Sequence, residues 1–166
     1  MDRLDDLRRE IDGVDAQILE ALAHLTTPVQ IVAACGRNEE LRLSLQEKFA
    51  GQENLHVIGF TKAFDEYMSC ADLMLGKPGG LTTWESFVKG LAWVVINPIP
   101  GQEERNTYHL LEEGIGIWAY QAKTLAFKVD HMLKETGRLE QMRQNSRRLA
   151  RPRAAHEILE ICRDLL

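Results

Sequence analysis

Apolar residues are spaced in two different ways along this chain. Leu4, Leu7, Ile11, Val14, Ile18, Leu22 and Leu25 recur at steps of three and four, so residues 2–25 predict one amphipathic helix. Asp2, Asp5 and Asp6 lie near its start, where the helix dipole favours negative charge. Thr26-Thr27-Pro28 ends it, because the residue before a proline avoids helical geometry. After Pro28 the apolar residues gather into short runs: Val29–Ala34, Leu55–Ile58, Leu73–Leu75, Trp93–Ile96 and Ile115–Trp118. Each is too short for a helix and rich in branched or large side chains. Helical stretches separate them, at about Glu39–Ala50, Ala63–Cys70, Thr83–Lys89 and Glu103–Glu113. Three more helices follow, at about Lys123–Glu135, Leu139–Ala150 and Arg153–Leu166, punctuated by Gly137 and Pro152.

Strand and helix alternating at this spacing predicts an α/β fold of βαβ units around a parallel sheet. The runs do not alternate polar with apolar, as expected when helices cover both faces of the sheet in a three-layer arrangement. At 166 residues the chain suits one compact domain. The expected division is a single domain over 1–166, with the helix of 1–27 packed on a body of 28–166.

Composition narrows the function. With 20 basic and 25 acidic residues the net charge is −5, which argues against a general nucleic-acid binder. No apolar run reaches the ~18–20 residues that span a bilayer, and the acidic start lacks a signal-peptide core. Cys35, Cys70 and Cys162 have no metal-ligand spacing and read as reduced thiols of a cytoplasmic protein with no metal or cofactor. Six arginines fall between Arg138 and Arg153 against Glu140 alone, either as a solvated helix face or as a surface for anionic lipid or phosphate.

The candidate chemistry lies in two loops. Leu75-Gly76-Lys77-Pro78-Gly79-Gly80-Leu81-Thr82-Thr83-Trp84-Glu85 follows a strand and opens a helix. Glycines there admit a ligand close to the backbone, and free N–H groups at a helix start suit a phosphate. The spacing is neither the Walker pattern nor the dinucleotide fingerprint, and a glycine turn after a strand also serves as a plain tight connection. Asn97-Pro98-Ile99-Pro100-Gly101-Gln102-Glu103-Glu104-Arg105-Asn106 again follows a strand and enters a helix. Its amides and carboxylates suit sugar hydroxyls, which both donate and accept. Two such loops at the carboxyl ends of parallel strands can line one crevice.

Together these two motifs closely resemble the bacterial glycolipid glycosyltransferases: the diacylglycerol glucosyl- and galactosyltransferases, and the related lipid-linked N-acetylglucosaminyltransferase of peptidoglycan synthesis. The resemblance runs from about Pro28 to Leu166 and implies the C-terminal, nucleotide-sugar-binding half of a two-domain GT-B fold. It implies that the backbone of Gly79, Gly80 and Leu81, with the Thr82 and Thr83 hydroxyls, holds the UDP diphosphate. Glu85 would accept from the ribose hydroxyls, and Gln102, Glu103 and Asn106 would face the donor sugar. Gly59-Phe60 matches the loop whose backbone meets the uracil ring, and Cys35-Gly36-Arg37-Asn38 a loop on the rim of the nucleotide site. Ala92 stands where the family usually has proline, and Gly76 where threonine is common. The family acts peripherally at a membrane surface. Its acceptor-binding domain and catalytic base have no counterpart in this sequence, so no catalytic residue is assigned and the chain alone is expected not to turn over.

The stretch from Leu4 to Leu19 resembles the opening of the first helix of all-helical chorismate mutases, with Arg8 matching a carboxylate-binding arginine. A single arginine cannot enclose a dianion, so mutase activity is not expected. Two families joined without a linker imply a recombined or engineered chain. Removing the central first strand of a Rossmann-like half-domain and closing the gap would leave five parallel strands in flavodoxin-like order 2-1-3-4-5. Three functions follow: a UDP-sugar-binding module, a chimeric scaffold without ligand binding, or a homodimerising module built on the mutase-like helix.

Overall fold

The computed structural model describes residues 16–165, which fall into two compact units. The first comprises the described residues up to Glu66 together with Ala119–Thr136, and the second Tyr67–Trp118 with the residues from Gly137 onward.

In the first unit, helix α1 covers residues 16–23 of the N-terminal amphipathic stretch, where Ile18, Leu19 and Leu22 are buried as their spacing requires. Leu4, Leu7, Ile11 and Val14 lie outside the described residues. Strand β1 (Ile31–Ala34) pairs in parallel with β2 (Leu55–Ile58), Ile31 opposite Leu55 and Ala34 opposite Ile58. Helix α2 (Glu39–Lys48) crosses between them. Its start is capped by Asn38, whose side chain accepts from the Leu41 N–H at 3.0 Å, and Leu41 and Leu45 form its buried face. Helix α3 (Phe64–Cys70) begins here, and α6 (Ala122–Lys134) turns Leu125, Val129 and Met132 inward.

One carboxylate ties α6 to the end of the α1 segment. Asp130 accepts from the amides of Thr26 and Thr27, both at 2.9 Å, and from both hydroxyls at 2.7 Å. Burial pushes the Asp130 carboxyl up, but these four bonds favour the charged form and hold it well below the usual carboxylate range.

The second unit is built on β3 (Leu73–Gly76), β4 (Ala92–Val95) and β5 (Gly116–Trp118), parallel and paired in that order. Helix α4 (Gly80–Lys89) connects the first pair and α5 (Gln102–Glu112) the second. Every residue of β4 is buried. Phe87, Trp93, Val95, Leu110 and Ile115 form the core, with Met74, Trp118, Leu149 and Ala150 packed against it. Gly116 is required by close approach, since a Cβ there would stand 3.3 Å from the Trp93 carbonyl oxygen. Helix α4 ends at Gly90, in the left-handed region at φ 67°.

Helices α7 (Arg138–Leu149) and α8 (Ala154–Asp164) complete this unit, α8 with no buried residue. The arginine cluster of α7 is largely engaged within the unit. Arg143 pairs with Asp72 at 2.5 Å and donates to the Gly90 carbonyl at 3.1 Å. Arg147 pairs with Glu140, and Arg148 with Glu113.

Among the described residues the expected single sheet of order 2-1-3-4-5 does not form. Its order requires a ladder between β1 and β3, and the structure has two separate parallel sheets, β1-β2 and β3-β4-β5. The ladders that exist all join strands consecutive in the chain through one crossover helix. The missing ladder is the one that would skip a strand. Burial agrees: β1 alternates between half-buried and exposed, with Val32 at 45%, whereas a strand paired on both sides looks like β4.

Candidate functional site

The loop from Gly76 to the start of α4 presents an uncapped helix end. Gly79 is the N-cap, at φ −65° and ψ 159°, and no side chain caps the helix. The first turn holds no acidic residue. The first intrahelical bond runs from the Thr83 N–H to the Gly79 carbonyl at 3.0 Å. The amides of Gly80, Leu81 and Thr82 therefore belong to the orphan donors of a helix start, at the positive end of its dipole. A Cβ at Gly79 would meet nothing within 4 Å, so its front is open.

A chain of hydrogen bonds fixes this loop to the core. The Trp93 indole N–H donates to Ser86 Oγ at 2.6 Å, and Ser86 Oγ–H donates to the Thr83 carbonyl at 2.6 Å. Thr83 Oγ1–H in turn donates to the Gly79 carbonyl at 2.6 Å. Trp93, Ser86 and Thr83 are all buried. Thr83 thus uses its proton to hold the N-cap. Thr82 is half-buried, and Leu81 and Glu85 are exposed.

The second loop meets the first. Asn106 Nδ2 donates to the Pro78 carbonyl at 2.8 Å, and a Cβ on Gly80 would stand 2.7 Å from Gln102 Nε2. Glu103 Oε2 accepts from the Ile99 N–H at 2.8 Å, closing the loop on itself. Gly101, at φ 108°, occupies a region that only glycine adopts readily, and Asn97 takes φ 41° just after β4. Hydrogen bonds thus tie Thr83 to Gly79 and Asn106 to Pro78, Gln102 lies close against Gly80, and Glu103 closes the second loop on itself.

Gly59 and Phe60 lie in the first unit, directly after β2. Phe60 is 58% exposed, and the Arg37 guanidinium carbon sits 4.9 Å above its ring centre. Gly59 lies over the Arg42 side chain, which is itself held by Glu39 and Gln46.

The sequence profile of the glycosyltransferase family 28 C-terminal domain matches residues 9–158. The chain belongs to this family. It is 35% identical over 154 residues to processive diacylglycerol beta-glucosyltransferase of Staphylococcus aureus strain Newman, and the same figures hold for the enzyme of strain COL. The match covers 93% of this chain and 38% of those proteins, so the chain spans well under half the length of the curated relatives it matches. Among solved structures it resembles WaaG, a glycosyltransferase involved in lipopolysaccharide biosynthesis, with a TM-score of 0.64 and 21% identity over 84% of this chain and 39% of that one. It also resembles Anabaena HepE, solved in complex with UDP and glucose, with a TM-score of 0.62 and 18% identity over 80% of this chain and 38% of that one. Both likenesses concern the fold.

These findings do not support the reading of a chimera with a chorismate-mutase-like helix. The family 28 match begins at residue 9, inside the N-terminal amphipathic stretch, and the staphylococcal match covers 93% of the chain. That stretch therefore runs on into family 28 sequence. The mutase likeness rested on leucines at helical spacing among aspartates and arginines, which many amphipathic helices share. The engineered scaffold is likewise without support. No helix among the described residues of this family 28 domain is long and apolar enough to cross a membrane.

The sequence reading missed the roles of Ser86 and Trp93. The available signal was a serine on the apolar side of α4, three residues after Thr83 and next to Phe87. A hydroxyl facing a core needs a partner, and Trp93 supplies one.

Proposed function

We propose that this family 28 domain binds the nucleotide-sugar donor, a UDP-hexose, of a glycolipid glycosyltransferase. The observation that carries the reading is the start of α4: orphan amides without a capping side chain, no acidic residue in the first turn, and open space before Gly79. The amides of Gly80, Leu81 and Thr82 and the Thr82 hydroxyl receive the diphosphate. Thr83 holds the turn through its bond to the Gly79 carbonyl. Glu85 accepts from ribose hydroxyls. Gln102, Glu103 and Asn106 face the sugar. The diacylglycerol glucosyl transfer named for the staphylococcal relatives is the reaction we propose for the whole enzyme, acting at a membrane surface. This domain's share is donor binding.

Residue-resolved NMR during a UDP titration tests it. Amides from Gly79 to Glu85 should shift, and Gly79→Val should weaken binding at least about tenfold by blocking close approach. The φ of Gly79 is open to any residue and a Cβ there meets nothing within 4 Å, and an unchanged melting midpoint checks that the variant is folded. Gly80→Val is less clean because it displaces Gln102. Silence of these amides at millimolar UDP overturns the reading.

A further inference from the structure

Side chains hold the loop before α4 by its carbonyls. Thr83 Oγ1–H donates to the Gly79 carbonyl and Ser86 Oγ–H to the Thr83 carbonyl, each at 2.6 Å, and Asn106 Nδ2 donates to the Pro78 carbonyl at 2.8 Å. No side chain caps the amides at the start of α4. A polar side chain in place of Gly79 could hold the same turn, but only by accepting from the amides of Leu81 or Thr82. Holding the turn from the carbonyl side leaves those donors free.

Ser86 is the deepest member of this set, fully buried together with Trp93. A hydroxyl in a helix interior does little for the helix, and a buried one is costly unless bonded. An alanine on α4 facing an aromatic ring without an N–H on β4 would avoid both polar atoms, so packing alone does not call for this pair. The indole N–H can only donate. It donates to Ser86 Oγ at 2.6 Å, which leaves the hydroxyl proton to the Thr83 carbonyl. Thr83 is also the residue whose N–H closes the first turn of α4 on Gly79 at 3.0 Å. Strand β4, buried throughout, thereby fixes that turn from behind.

We propose that Ser86 is a positioning residue for the diphosphate, with Trp93 orienting its hydroxyl. The pair holds Thr83 so that the amides of Gly80, Leu81 and Thr82 stay aligned and free. Neither side chain touches the ligand. The proposal rests on the donor-binding reading above and names the residues that aim that site.

UDP and inorganic pyrophosphate, titrated separately into the full chain and followed at the amides of Gly80 to Thr83, test it. Ser86→Ala should weaken both about fivefold, the scale of one net hydrogen bond, at a temperature where the chain is fully folded. Ile115→Val lies in the same core on another strand, and should lower the melting midpoint while leaving both affinities at the wild-type value. Ser86→Cys, a weaker donor in the same place, should fall between wild type and Ser86→Ala, and it carries the test if the alanine variant does not fold. Wild-type binding of both ligands by the Ser86 variants overturns the positioning role while donor binding stands. An equal loss in Ile115→Val does the same, because the loop would then answer to core stability at large. A loss for UDP alone, or pyrophosphate that leaves these amides unmoved in the wild type, overturns the assignment to the diphosphate. No UDP binding by the wild type removes both proposals together.

Discussion

Strands β1 and β4 are each four residues long and wholly apolar, Ile-Val-Ala-Ala against Ala-Trp-Val-Val, yet their surroundings differ. β4 is paired on both sides, buried throughout, and lies in the core of Phe87, Leu110 and Ile115. β1 pairs only with β2, and every second residue faces outward. The same composition thus serves a core and a sheet edge, and the number of paired neighbours decides which. The loops differ accordingly. The Gly79 loop hangs from buried Trp93 by three hydrogen bonds, whereas Phe60 lies exposed beyond β2 under an arginine.

Truncation should expose that contrast most strongly. Trp93→Ala empties the core of the three-stranded sheet and removes the one donor to Ser86 Oγ from β4, and should cost about 3–5 kcal/mol. Val32→Ala, on the open side of β1, should cost within about 0.5 kcal/mol. Urea denaturation of the two variants checks both, and equal shifts would erase the distinction between the strands.

The two-stranded unit instead draws stability from the polar latch at Asp130. Asp130→Ala should cost about 2–3 kcal/mol, since four bonds to a charged acceptor are lost while some donors regain water. The folded carboxyl titrates below its ordinary value of about 3.9, so the latch contributes fully above that pH. Its contribution should fade as pH drops through and below that value. A wild-type-minus-variant stability difference that stays constant from about pH 6 to pH 3 would rule out a charged Asp130 as the cause.

A smaller effect than that of the latch separates loop support from fold support. Asn106→Ala removes one half-buried bond to the Pro78 carbonyl and should cost about 1 kcal/mol. UDP affinity should fall by more than this stability loss would suggest, because the Gly79 loop loses a tether. An unfolding change with unaltered UDP affinity would confine Asn106 to the fold.

Much of this was legible in the residues. The strands at Leu55–Ile58 and Leu73–Gly76 and the helices from Glu39 and Arg138 coincide with their apolar patterns within a few residues, because local periodicity governs them. Helix α4 starts three residues before the expected Thr83, since two glycines hid a helix start that core contacts stabilise. The five-strand order was not legible, because neighbour pairing between non-consecutive strands leaves no local mark. The two loops were legible as candidates, but the bond from Asn106 to Pro78 and the path from Thr83 to Trp93 depend on residues brought together only by the fold.

The indole N–H of Trp93 donates to Ser86 Oγ, which donates in turn to the Thr83 carbonyl in the first turn of α4. Hydrogen bonds in series polarise one another, so a change at the Thr83 carbonyl alters the indole donor. The indole resonance of Trp93 is therefore a spectroscopic gauge of the loop, read from a side chain that no ligand touches. The same line sets a limit on repacking the core around β4: a side chain without an N–H at position 93 would leave Ser86 bonded to Thr83 but cut the loop from β4 and silence the gauge.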